Sequence, residues 1–203
     1  MNGKRLNKSS RYVTAVIVAG LLVIGWSLWQ ALLSPPGLEW LVLAALTLFT
    51  GSFTVRVPSL PARISVSETF IVTSVLLFGS AAGALIVVLD ALVISFWLDR
   101  TKRPLSKVIF NASAPTIAIW LASEVFFRLS GAEPWQIGRE DIARLITPVF
   151  AFALLYFLIN TGLVAGALAS ERPESAIRLW LEHFPSVSAN YFLGSSVARL
   201  IVA

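Results

Sequence analysis

Long apolar runs, cut at regular intervals by prolines, glycines and basic residues, constrain this chain more than anything else in it. A run of roughly 17–25 apolar residues is the length a helix needs to cross hydrocarbon. In lipid the backbone must satisfy its own hydrogen bonds, so only helices or closed barrels span it. Barrel strands would read as short alternating segments, and these runs are continuous. Composition agrees: 57% of the 203 residues are hydrophobic, 13% are charged and the mean hydropathy is +0.80. A water-soluble domain carries about a quarter charged residues. The expected fold is therefore an all-α, polytopic transmembrane helical bundle, one domain over residues 1–203.

Seven segments follow from the breaks. The first, Tyr12 to Leu33, follows a basic start (Lys4, Arg5, Lys8, Arg11). It is too long for a signal-peptide core and no small-x-small cleavage site follows, so it reads as a retained helix. Ser34-Pro35-Pro36-Gly37 stops it, because neither two prolines nor the glycine continue a helix. The second runs from Leu38 to about Thr54, and the prolines of Val55 to Arg63 predict an extended loop. Ser65 stands three residues before Glu68, the spacing of a capping box, which starts the third segment near Val66 and ends it at Gly79. Gly79 to Gly83 reads as a turn and the fourth segment continues to about Leu98. The fifth covers Pro104 to Leu129 and the sixth Ile142 to Ala169. The last runs from Ile177 to the end, with Pro185 dividing an interfacial amphipathic part from a spanning part.

Orientation follows from positive charge, which is enriched on cytoplasmic flanks. With the N terminus cytoplasmic, seven crossings put Lys4, Arg5, Lys8, Arg11, Arg56, Arg63, Arg100, Lys102, Arg103, Lys107, Arg172 and Arg178 inside, and Arg128, Arg139, Arg144 and Arg199 outside. Six crossings is the fallback, because the third segment is short. Trp26, Trp29, Trp40, Trp97, Trp135 and Trp180 fall near the expected interfaces. The last residues, Arg199 to Ala203, end at an apolar stretch, which predicts that the natural chain continues and returns to the cytoplasm. The net charge of +5 reflects these membrane flanks and is no nucleic-acid signature.

Polar residues within the spans are the candidates for chemistry. Asp90 falls near the middle of the fourth segment, where a carboxylate costs a few kcal/mol and needs a partner or a proton. Asn160 and Asn190 are its expected mates at that depth, so these three outline a midplane polar site. Asn111, beside Pro115 in a run of small residues, and Glu68 complete the polar-core candidates. Glu124 is expected to pair with Arg199, or with Arg128 one turn along its own helix.

Enzyme chemistry finds no support. No cysteine is present, which removes thiolate catalysis and cysteine metal sites. His183 is the single histidine; it cannot form an HExxH site, and no histidine falls near Gly194-Ser195-Ser196. Asp90 is the one aspartate within a span, so a facing aspartate pair is missing as well. The expected partners are the lipid bilayer, a small-molecule ligand and a second copy of the chain, with no cofactor, metal or nucleic acid.

Ser65-Val66-Ser67-Glu68-Thr69-Phe70, then Leu77-Phe78-Gly79-Ser80-Ala81-Ala82-Gly83, then Arg103-Pro104-Leu105 leading to Phe110-Asn111-Ala112, form an ordered set between Arg56 and Phe127. The set resembles the N-terminal membrane region of bacterial signalling proteins whose cytoplasmic part is an HD-GYP or GGDEF domain for cyclic-di-GMP turnover. The resemblance implies a sensory or anchoring input module in the bacterial inner membrane. It supplies no catalytic residue, because those belong to the cytoplasmic part. A small transporter, or its substrate-binding membrane subunit, is the other functional class, with Asp90, Asn160 and Asn190 lining its site.

Overall fold

The computed structural model describes residues 2–51, 54–56, 63–65, 67–93, 95, 104–134, 136–137, 142–171, 174–184 and 188–202. Among these, the order is α1 (Asn2–Leu33), α2 (Leu38–Gly51), β1 (Thr54–Arg56), β2 (Arg63–Ser65), α3 (Ser67–Phe78), α4 (Ser80–Val93), α5 (Leu105–Ser130), α6 (Ile142–Glu171), α7 (Ala176–His183) and α8 (Ser188–Val202). Among the described residues, three helices are long and apolar enough to cross a bilayer, over Arg11–Leu33, Leu105–Ser130 and Ala143–Glu171. The helical membrane architecture is as expected.

The breaks fall where local chemistry requires them. Pro35, Pro36 and Gly37 separate α1 from α2. Gly79 has φ +91°, a left-handed value that side chains with a Cβ resist, and this one residue turns α3 into α4. The expected five-residue turn is thus shorter, since Ser80 to Gly83 already belong to α4. Gly131, with φ +63°, ends α5 by donating its N–H to the Phe127 carbonyl. The last segment divides into two helices on either side of residues 185–187, which lie outside the described residues. Trp97, Trp135, Arg100, Lys102, Arg103, Arg139 and Arg172 also lie outside them.

Two expectations need correction. The stretch after α2 is not a plain loop: β1 and β2 form an antiparallel ribbon pairing Thr54 with Ser65, Val55 with Ile64 and Arg56 with Arg63. Ser65 is therefore a strand residue and α3 begins at Ser67, so Ser65 and Glu68 do not make a capping box. The fourth helix is described over Ser80–Val93, and residues 94 and 96–98, where its expected end falls, lie outside the described residues.

Packing explains how helices of 12–14 residues coexist with much longer ones. Twelve residues rise about 18 Å, well short of a hydrocarbon core about 30 Å thick. α3 packs against α2, α4 and α8, and its residues from Ile71 to Leu76 are all buried. Backbone that is covered by protein need not match the bilayer's thickness. The main core joins Val72, Val75, Leu76, Ile86, Ile119, Phe126, Phe152 and Phe157. A second cluster, Val16, Phe110 and Ala114, fastens α1 to α5, and the Tyr12 hydroxyl donates to the Leu163 carbonyl of α6 at 3.2 Å.

Two tryptophans are tied by their N–H groups. Trp40 donates to the Ala82 carbonyl (3.2 Å), and Trp180 of α7 donates to the Thr161 hydroxyl (2.7 Å) while its ring lies on Phe157. Trp26 and Trp29, by contrast, are exposed on α1.

Candidate functional site

Alternation of helix direction sorts the polar residues into two ends. Gln30, Ala31, Leu33 to Gly37, Phe78, Ala81, Ala82 and Pro134 surround a cavity of about 520 Å³ at one end, where α1 leads into α2 and α3 into α4. Gly51, Ser67 and Asp90 meet at the other end, beside the ribbon.

The most polar cluster lies at this ribbon end. Gly51 closes α2, and its missing side chain makes room for Asp90: a Cβ there would strike Asp90 Oδ1. Ser67 is buried at the start of α3 and borders the same space. Asp90 Oδ1 is shielded from solvent and has no hydrogen-bond partner among the described residues. Glu68, half-buried in the first turn of α3, lies within electrostatic reach of Asp90 and accepts a hydrogen bond from the Tyr156 hydroxyl of α6 at 3.4 Å. The two carboxylates differ in setting. Glu68 is at a helix N terminus, where the backbone dipole favours negative charge, whereas Asp90, on α4, faces Gly51 at the C terminus of α2. Asp90 thus faces the partially negative C terminus of α2, an environment that suits a cation or a strong hydrogen-bond donor.

The other candidates are placed as follows. Asn160 is half-buried and bonded, one turn beyond Tyr156 on α6. Asn190 belongs to α8, and its side chain lies outside the described residues. Asn111 is exposed on α5 and does not join the cluster. Among the described residues, the polar cluster at this end comprises Asp90, Glu68, Ser67 and Tyr156.

Glu124 is bonded differently from expectation. Among the described residues its partner is the Ser80 hydroxyl, which donates at 2.7 Å, and not Arg199 or Arg128. It borders a cleft of about 370 Å³ with Leu22, Trp26, Gln30 and Trp120. Arg128 is exposed, and Arg199 is buried between α6 and α8. Serine reaches Glu124 because the tight Gly79 turn brings the start of α4 against α5, an effect that sequence spacing does not register.

Sequence reasoning passed over Tyr156 and Gly51. A tyrosine inside an apolar run is itself a signal, since a buried phenol usually finds a hydrogen-bond partner. Gly51 carried no such signal, because its role depends on a carboxylate from another helix.

The helical bundle and its apolar spans define a membrane-associated helical module. The MASE9 profile matches residues 32–202, nearly the whole chain beyond α1, and the chain belongs to this family of membrane-associated sensory domains. No curated protein matches it. Among solved structures it is similar to the S component of a bacterial ECF transporter, at 11% identity and a TM-score of 0.54, over 81% of this chain and 89% of that one. At that identity the likeness is one of fold.

Proposed function

We propose that this chain is the input module of a bacterial signalling protein, seated in the cytoplasmic membrane and regulating a cytoplasmic domain of the HD-GYP or GGDEF type. The family match over residues 32–202 carries this reading. Seven crossings with the N terminus inside would put Arg11, Arg56, Arg63 and Lys107 on the cytoplasmic side and Arg128, Arg144 and Arg199 outside, in the sense of the positive-inside rule. The module itself performs no chemistry; it shifts helices. A ligand moves such an equilibrium only by binding one arrangement better than the other. The Asp90–Glu68 cluster suits that role, because α2, α3, α4 and α6 each contribute to it and a small molecule offering a donor to Asp90 would favour one packing of the four.

The second reading is a substrate-binding membrane subunit, favoured by the fold shared with the S component. The reading frame after Ala203 separates the two. Continuation into an HD-GYP or GGDEF domain supports the input module, and a stop codon beside transporter-subunit genes overturns it. Within the first reading, Asp90→Asn in the full-length protein should lock the output at one level. Unchanged output and unchanged response would remove Asp90 from the mechanism.

A further inference from the structure

A second site, independent of that reading, lies between α6 and α8. The two helices bound a cavity of about 330 Å³ whose walls include Leu145, Val149, Phe150, Phe192 and Leu200. Among the described residues, Arg199 is the one charged residue in this lining, and it is only 7% exposed. Ser195, one helical turn before Arg199, is also in the lining and is buried. Direction matters as much as composition. Arg199 is in the last turn of α8 and Leu145 in the first turn of α6, so the charge is at the helix ends while Ala153 and Phe192 mark the deep part. From Leu145 to Ala153 the α6 wall rises about 12 Å. Ile146, Phe150 and Leu200 are exposed, which opens the cavity sideways to the acyl phase.

A cavity with a buried cation at one end, apolar walls and a lateral opening matches one kind of molecule. We propose that the α6–α8 cavity binds a long-chain carboxylate, its head on Arg199 and its chain along Val149, Phe150 and Phe192. The planar guanidinium fork matches a carboxylate through two parallel hydrogen bonds. A cavity of about 330 Å³ has no room for two acyl chains, which favours a single-chain amphiphile over a two-chain phospholipid.

The test uses the full chain in phosphatidylcholine nanodiscs with radiolabelled oleate as probe. Saturable binding is expected. Arg199→Gln should weaken it roughly 10–100-fold, the range of a lost charge-assisted hydrogen bond, and oleyl alcohol should compete at least about tenfold worse than oleate. Ile146→Trp, which fills the cavity while keeping Arg199, should abolish binding. Where Arg199→Gln does not fold, Arg199→Lys keeps the charge without the fork and should give an intermediate loss. Four results would overturn the proposal. These are oleate binding indifferent to both Arg199 variants, equal competition by oleyl alcohol, and displacement of oleate by phosphatidylglycerol at equal affinity. The fourth is an Ile146→Trp variant that changes oligomeric state but still binds oleate, which would make the face a contact between copies.

Discussion

Gly20 is the position where α1 meets α5 most closely, and replacing it by alanine tests whether α1 is an integral wall of the bundle. A Cβ at Gly20 would overlap the Ser113 side chain and the Ser113 Cα. A rotamer change relieves a clash with a side chain but not with backbone, so the helices must separate. Overpacking of this kind costs about 1–3 kcal/mol. For a chain of this length, each kcal/mol moves Tm by about 2–4 °C. Purified protein in detergent, followed by tryptophan fluorescence on heating, should therefore melt several degrees lower. Gly25 is the internal control, because nothing lies within 4 Å of a Cβ there. Gly25→Ala on the same helix should be neutral or stabilising by up to about 1 kcal/mol, from propensity alone. Ser113→Gly should then relieve part of the Gly20→Ala cost, since it removes the struck Cβ and Oγ while the Cα stays, and the Ser113 hydroxyl has no hydrogen-bond partner among the described residues. The reasoning fails if Gly20→Ala and Gly25→Ala shift Tm alike. It also fails if the Gly20–Ser113 double mutant is additive to within about 0.5 kcal/mol.

Three further outcomes are expected. Tyr156→Phe deletes the hydroxyl that donates to Glu68, which should lower stability by about 1–3 kcal/mol because the carboxylate loses a partner; Tyr156→Phe in a Glu68→Gln background should cost less, as a double-mutant cycle in detergent would show. Trp180→Phe keeps a ring on Phe157 but loses the N–H to Thr161, so hydrogen exchange in α7 should accelerate about tenfold while α5 and α6 stay unchanged. Arg178→Ala breaks the 2.9 Å pair with Glu182 on the exposed face of α7, and no change in Tm should be measurable.

The helices were legible in the sequence because their stops are local. Proline pairs, glycines and basic runs act within a few residues, and the breaks at Pro35-Pro36-Gly37, at Gly79 and around Pro185 all fall between helices. What escaped was non-local. Ser65 and Glu68 have capping-box spacing, yet Ser65 is taken by Thr54 across a ribbon. Glu124 was matched to arginines by charge and depth, and the fold offers it Ser80 instead. Asp90 was recognised as costly, which is a property of one residue. Its neighbours Gly51 and Ser67 were not, since they belong to two other helices and become neighbours only on packing.

The enclosure of α3 has a consequence for biosynthesis. Its walls come from α2 and α4, which flank it in the chain, and from α8, the last helix described. A ribosome therefore releases α3 with Glu68, Thr73 and Ser74 on it while α8 is still unmade. Until α8 arrives, a helix too short to span stands uncovered on one side. Assembly of the bundle is thus completed from its C-terminal end, and a nascent chain arrested before Ser188 should leave α3 open to aqueous labelling reagents.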